Sequence, residues 1–255
     1  MRGEHCIAGA SILSGIAVIL LVFANIGQIS SGALVSGIHM VEVNVAAYGN
    51  AYVGVKNGTA AGLYDSSTKD KMGTEKGLRQ YYRYGLYNSC GYQKGGGGIC
   101  NSTIFGYPFE PLSQILADTP TKYKTATDAF IPSSASTFRD NGFNHGLSRA
   151  GSLMIFVGSV AALLSLIFGV VKHRLAFFVA SICAGISALL LMIGAAMWTS
   201  IIAKDAFINI VKVQYGYNLG IDVYAGPALY LTWVAFAMIA LSILPYVIAC
   251  CTFRK

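Results

Sequence analysis

Charged residues are scarce in this 255-residue chain, and four long stretches contain none at all. Only 11% of the residues are charged, whereas a soluble domain usually carries about 25%. Each charge-free stretch is long enough to cross the roughly 30 Å core of a bilayer as a helix. The first exceeds the roughly 7–15 apolar residues of a secretory signal, so we expect a retained helix. The pattern excludes a soluble enzyme, a disordered chain and a nucleic-acid reader and predicts transmembrane helices at 7–29, 151–171, 175–203 and 228–253.

The short segments between these spans indicate the orientation of the chain. With four spans, residues 1–6, 172–174 and 254–255 lie on one side and carry five cations, whereas 204–227 on the other side carries two. Short segments rich in Lys and Arg remain in the cytosol. Both termini are therefore predicted to be cytosolic, and 30–150 and 204–227 to be extracellular.

The sequence has no recognisable grouping of residues for catalysis or metal binding. Its four histidines, at 5, 39, 145 and 173, fall on both sides of the predicted membrane without metal-ligand spacing. The predicted spans contain no Asp, Glu, Lys, Arg or His, although proton relays and transport sites usually need one. We therefore expect no catalytic residue, no cofactor, no metal and no small-molecule substrate. The net charge of +7 is divided between the two sides, and we expect no nucleic-acid partner.

The long extracellular segment is predicted to fold around a small sheet. Val41, Val43 and Val45 alternate with polar residues, which is typical of a half-buried strand. We expect 51–55 to pair with this strand as a hairpin, and the aromatic-rich stretch 80–87 to form another strand. The alternation in 210–217 predicts one further strand in the same sheet, and 112–116 is expected to be helical.

Cysteine positions add a constraint to the extracellular segment. Cys90 and Cys100 are the cysteines on the predicted outer side, where an oxidising environment favours a disulfide. The glycines at 95–98 leave the intervening loop free to close. A pair of free thiols and a metal-binding pair are the alternatives.

Two kinds of modification site are predicted. Asn57 and Asn101 begin Asn-X-Thr triplets on the predicted outer side and are candidate glycosylation sites. Cys250, Cys251 and Cys6 lie at the cytosolic ends of predicted spans, where cysteines are frequent palmitoylation sites. The alternative is that these cysteines are merely small apolar residues at helix ends.

Gly85-Leu86-Tyr87, followed by Cys90 and Cys100, resembles the Gly-Leu-Trp…Cys…Cys signature of the claudin superfamily. The chain departs from it in having Tyr87 in place of Trp and a longer first outer segment. The resemblance implies a claudin-like four-transmembrane-helix bundle. It also implies a small extracellular β-sheet in which the disulfide joins neighbouring strands.

Over its whole length the chain resembles the fungal Sur-seven/PalI family. The features that carry the resemblance are the span pattern, the Gly-rich Cys loop, Val41-Glu42-Val43-Asn44 and the entry to the last span at 226–233. The resemblance implies residence in the plasma membrane, in eisosome-type domains, with roles in cell-wall organisation and endocytosis. The PalI branch instead assists an ambient-pH sensor and often carries a long cytosolic tail, so the short tail here favours the Sur-seven side.

We therefore expect a non-enzymatic plasma-membrane protein that organises membrane domains. Its expected partners are membrane lipids and either further copies of itself or other membrane proteins. Pairs of small residues four apart permit close helix contact, within the chain or between chains, and occur at Ser11/Gly15, Gly158/Ala162 and Ser181/Gly185. The alternatives are an auxiliary subunit of a pH-sensing complex and a claudin-like ion-permeation protein.

Overall fold

The computed structural model describes residues 2–139, 141–171 and 173–252. Within these residues the chain forms nine α-helices and one five-stranded sheet. The helices are, in chain order, α1 (Arg2–Ile26), α2 (Ala33–Ser36), α3 (Tyr48–Lys56), α4 (Pro111–Asp118), α5 (Thr121–Phe130), α6 (Ser136–Arg139), α7 (Asn141–Val170), α8 (Arg174–Asp205) and α9 (Pro227–Thr252).

Four of these helices, α1, α7, α8 and α9, are long and apolar enough to cross a membrane. They include the four charge-free stretches except at their ends. Residues 27–29 turn away after α1, while α7 and α8 continue through the charged Arg149 and Lys204. Pro227 occupies the first turn of α9, where its missing N–H leaves no backbone partner unsatisfied.

The long helices form a ring in which α1 packs on α9, α9 on α8 and α8 on α7, while α1 and α7 meet less closely. Glycines bring α7 and α8 together, because a Cβ on Gly194 would lie 2.8 Å from the Gly151 carbonyl oxygen. Gly158 packs against Leu191, so the small-residue face at Gly158/Ala162 lies within the bundle.

The sheet lies at the end of the bundle and is antiparallel throughout. Its strands are β1 (Val41–Asn44), β2 (Tyr81–Tyr84), β3 (Ser89–Tyr92), β4 (Gly98–Cys100) and β5 (Asp222–Ala225), in the spatial order β4-β3-β2-β1-β5. Val41 pairs with Tyr84 and Val43 with Tyr82, and all four side chains are buried. The alternation in the sequence thus places one face of the central strands against the core.

The predicted strands at 41–45 and 80–87 are confirmed as β1 and β2, but the predicted hairpin strand at 51–55 is wrong. This stretch belongs to α3, whose buried residues include Tyr48, Ala51 and Val55. Their spacing of three and four residues is that of one helix face. The two valines in 51–55 favour a strand locally, but packing of that face against the core decides for a helix.

The strand predicted at 210–217 is also wrong. The stretch overlaps the end of one 3-10 helix, Ala206–Ile210, and contains a second, Gln214–Gly216. Tyr215 and Gly216 have positive φ angles of 61° and 80°, and this turn interrupts the alternation of valines. The strand contributed by this region is β5, which begins at Asp222. The helix expected at 112–116 is confirmed as α4.

The segment between α1 and α7, which we call the outer domain after its predicted side of the membrane, contains a buried ion pair that ties the loop before β2 to the sheet. Arg79 Nη1 lies 2.6 Å from Asp65 Oδ2, and the two side chains are 2% and 4% exposed. Arg79 Nη1 also donates to the Ser67 carbonyl oxygen at 2.6 Å. The neighbouring Tyr82 hydroxyl donates to Asp118 Oδ2 at 2.7 Å, which joins the sheet to α4.

We expect Arg79→Met to destabilise the protein by about 3–5 kcal/mol, because Asp65 is left as an unpaired buried charge. Thermal unfolding of the detergent-purified chain measures the effect. The matched control is Lys124→Met, which removes the partner of Glu75 in a pair that is 42% exposed on both sides. Exposed pairs contribute little to stability, so equal losses in the two variants would contradict the expectation.

Candidate functional site

The segment that resembles the claudin signature forms the turn between β2 and β3 and lies against the end of α1. A Cβ at Gly85 would fall 2.4 Å from the Gly27 carbonyl oxygen, closer than any side chain permits. Leu86 next to it is fully buried. Glycine at position 85 therefore allows the sheet to approach the helix at backbone distance.

Gln28 secures the same junction from the side of the helix. Its backbone has a positive φ of 59°, which turns the chain directly after α1. Its Nε2 donates to the carbonyl oxygens of Ser36 and Ile38 at 2.8 and 3.1 Å. Its Oε1 accepts a hydrogen bond of 2.8 Å from the Tyr92 hydroxyl in β3. One buried amide thus connects the end of α1, the following loop and the sheet.

Cys90 and Cys100 form a disulfide between directly opposed positions of β3 and β4, with their Cα atoms 4.0 Å apart. The structure thus favours the disulfide over the two alternatives of free thiols and a metal pair. In the part of the chain that is described, no three His, Cys, Asp or Glu side chains converge as a metal site would require. A ring of this size stabilises the fold by about 2–3 kcal/mol in the chain-entropy account.

Tyr87, at the position of the signature tryptophan, connects the outer domain to two membrane helices. Its hydroxyl donates to Asn25 Oδ1 in α1. Burial raises the pKa of Tyr87 to about 12, so the hydroxyl keeps its proton. The ring stacks on Phe105 at 5.6 Å, and Phe105 in turn meets Phe156 of α7 edge-on at 5.0 Å. These three rings form an aromatic cluster on the part of α1 and α7 nearer the sheet.

Beneath the aromatic cluster lies a groove of about 630 Å³ between α1 and α7, which we call the outer groove. Of the neighbouring helices in the ring, α1 and α7 pack least closely, and the groove between them is open on one side. Three segments that are distant in sequence supply its lining: Val18, Leu21, Val22, Asn25, Ile26 and Ile29 from α1 and the turn after it, Phe156, Ser159, Val160 and Leu163 from α7, and Tyr87, Thr103 and Phe105 from the outer segment.

Sequence reasoning missed the outer groove, although one signal pointed to it. Asn25 is an amide in an otherwise apolar part of a charge-free stretch, and a polar side chain at such a position needs a partner. Its partners outside α1 are Ser159 Oγ, at 3.0 Å from Asn25 Nδ2, and the Tyr87 hydroxyl. Neither is identifiable without the fold.

A second junction joins the sheet to α9. The His39 carbonyl oxygen accepts from the Ala228 backbone N–H at 3.0 Å, and a Cβ at Gly226 would fall 2.1 Å from that oxygen. His39 is buried, with 8% of its surface exposed. Burial, aided by the positive charge of Arg83, lowers the pKa of His39 from 6.5 to about 4, so the imidazole is neutral at ordinary pH.

The predicted modification sites have different surroundings. Asn57 is exposed at the end of α3. Asn101 is half-buried, and its Nδ2 donates to Ser89 Oγ at 3.0 Å and to the Tyr107 hydroxyl at 2.7 Å. The side chains of the predicted palmitoylation sites lie outside the described residues: Cys6, Cys250 and Cys251.

A family model described as the SUR7/PalI family matches residues 6–252, nearly the whole chain. A search of curated proteins finds no match. The family match confirms the resemblance drawn from the sequence.

We expect a glycan at Asn57 and none at Asn101, because the amide of Asn101 is engaged in the folded domain while that of Asn57 faces solvent. Glycosidase treatment followed by peptide mass mapping measures occupancy at each site. Asn57→Gln should abolish the gel shift caused by the glycosidase, and Asn101→Gln should leave it unchanged. Comparable occupancy at both sites would show that modification does not follow the folded surroundings.

We expect His39 to make stability fall on acidification. Its pKa is lower in the folded chain than in the unfolded chain, so the unfolded state binds more protons between pH 4 and 6.5. Stability is therefore complete above about pH 6.5 and declines below it, by about 2 kcal/mol at about pH 5. Buried Asp118, whose pKa burial raises, acts in the opposite direction.

The difference between wild type and His39→Gln isolates the histidine from Asp118. Melting temperatures at about pH 7 and about pH 5 should differ less in His39→Gln than in the wild type. An equal pH dependence in both chains would count against a neutral buried His39.

Proposed function

Because the chain belongs to the SUR7/PalI family, we propose that it is a structural protein of the plasma membrane. In this proposal it organises a membrane domain and is not an enzyme. The four long helices support the proposal, since each keeps large apolar side chains exposed, among them Ile12, Phe156, Ile182 and Leu244. Such a surface suits contact with hydrocarbon and with neighbouring membrane helices.

The proposed contact with other proteins in the plane of the membrane rests on two open faces of small residues. On α1 the face consists of Ser11 and Gly15, and on α8 of Ser181 and Gly185. A Cβ built on either glycine has no described atom within 4 Å apart from its chain neighbours and the backbone of its own helix. Small faces allow two membrane helices to approach closely, so these faces are suited to contact further copies or other membrane proteins.

The proposed orientation places both termini in the cytosol and the disulfide-bridged sheet outside the cell. It rests on the excess of Lys and Arg in the short segments on the cytosolic side. The sheet, with a glycan at Asn57, would then face the cell wall. Acyl chains on Cys6, Cys250 and Cys251 would favour sorting into ordered, eisosome-type domains. Roles in cell-wall organisation and endocytosis follow from that placement.

Cross-linking in intact cells tests the proposal. We expect a membrane-permeable cross-linker to capture oligomers of the wild type, and a tagged copy to lie in discrete surface patches. Gly15→Leu and Gly185→Leu should lower the cross-linked fraction several-fold, because each fills one open face.

Gly9→Leu is the matched control for Gly15→Leu. Gly9 lies on α1, roughly 120° around the helix from Gly15, and also has no described atom within 4 Å of its Cβ position. It should leave both cross-linking and patches unchanged. A wild type that stays monomeric and spreads evenly over the surface would refute the proposed function.

A further inference from the structure

The outer groove has the size and position of a ligand site. Its volume of about 630 Å³ lies within the roughly 300–1,000 Å³ usual for small-molecule pockets. From Val18 to Ile26 its α1 wall rises about 12 Å, less than half of the roughly 30 Å hydrocarbon core. The groove is therefore confined to the part of the membrane next to the sheet.

The wall of the groove is apolar and open towards the lipid. Val22 and Val160 line it and are 53% and 43% exposed. Because α1 and α7 meet less closely here than the other neighbouring helices do, the chain leaves the cleft unfilled. In a membrane, an apolar molecule must occupy it.

Three polar side chains, Asn25, Ser159 and Tyr87, form a rim at the groove and limit the chemistry of the molecule that can bind there. The two hydrogens of Asn25 Nδ2 go to the Leu21 carbonyl oxygen at 2.7 Å and to Ser159 Oγ at 3.0 Å. The Ser159 hydroxyl donates to the Ile155 carbonyl oxygen at 2.7 Å, and the Tyr87 hydroxyl donates to Asn25 Oδ1. Every side-chain donor of Asn25, Ser159 and Tyr87 is thus used, and the remaining capacity of these side chains is as acceptors. Thr103, which also lines the groove, has a hydroxyl that can donate as well as accept. The polar side chains of the groove therefore complement a ligand with a single hydroxyl, which donates to the rim and can accept from Thr103.

We propose that the outer groove binds a sterol. A sterol is a rigid apolar body with a single hydroxyl at one end, which matches an apolar cleft with acceptors at one end. The hydroxyl would donate to the rim formed by Asn25, Ser159 and Tyr87. The rings would lie against Val160 and Leu163, and the tail would point towards Val18. A phospholipid acyl chain has no donor to offer these acceptors. The sterol site does not depend on the proposed membrane-domain function.

Photolabelling of the purified full-length chain tests the site. The chain is placed in phosphatidylcholine nanodiscs containing a photoreactive cholesterol analogue, and labelled peptides are mapped by mass spectrometry. We expect saturable labelling confined to the outer parts of α1 and α7. Unlabelled cholesterol should compete, and its epimer with the inverted 3-hydroxyl should compete less well.

Two variants and a matched control sharpen the test. Val160→Trp fills the groove and should abolish saturable labelling. Val157→Trp should not, because Val157 is equally exposed at 43% on the same helix but does not line the groove. Tyr87→Phe removes one acceptor and should weaken sterol competition about fivefold, the equivalent of one neutral hydrogen bond.

Elution volume and melting temperature establish that each variant is folded. Labelling spread evenly over the four helices would overturn the proposal, as would labelling that survives Val160→Trp. Equal competition by added phosphatidylcholine would assign the groove to ordinary acyl chains and also overturn it. Patch formation and cross-linking are measured separately, so loss of the sterol site and failure of the proposed function remain distinguishable.

Discussion

The outer sheet is held on the helix bundle by backbone contacts that only glycine permits. Gly85 meets the carbonyl of Gly27 after α1, and Gly226 meets the carbonyl of His39 before β1. Between these points, Met40 N–H donates to the Tyr84 carbonyl at 2.8 Å. The Gly226 N–H in turn donates to the Met40 carbonyl at 2.9 Å. Since unsatisfied backbone groups are costly next to hydrocarbon, this continuous pairing allows β5 to lead directly into α9.

The position of the signature segment depends on these contacts. With Gly85 against α1, the next residues carry Leu86 into the core and Tyr87 onto Asn25. The same approach brings Tyr92 to the amide of Gln28. The disulfide acts further out, where it keeps β4 on the edge of the sheet. The glycine contacts thus place the sheet, while the side-chain amides of Asn25 and Gln28 determine how it is oriented on the bundle.

Sequence patterns predicted the elements whose conformation depends on residues close together in the chain. The alternation of Val41 and Val43 and the run of apolar residues in each span were sufficient for β1 and the long helices. They failed at 51–55 and 210–217, where residues that favour strands belong to a helix and to turns. In α3 the conformation depends on the helix face that is buried against the core. At Tyr215 the backbone turns with a positive φ. An alternation of period two in the sequence reveals neither of these features. Motif resemblance identified Gly85 and Tyr87 but not what they contact.

By itself the sequence determined that this chain has four membrane-length helices and a cysteine pair placed to bridge an outer domain. A span depends on the length and apolarity of one continuous stretch, which is measured against a fixed bilayer thickness. Only the tertiary structure decided where Tyr87 lies and that a groove exists beside it. That groove is built from α1, from α7 and from the outer segment around Phe105, which are far apart in the chain. Close packing at glycine contacts brings them together, and such non-local contacts leave no periodic signal in the sequence.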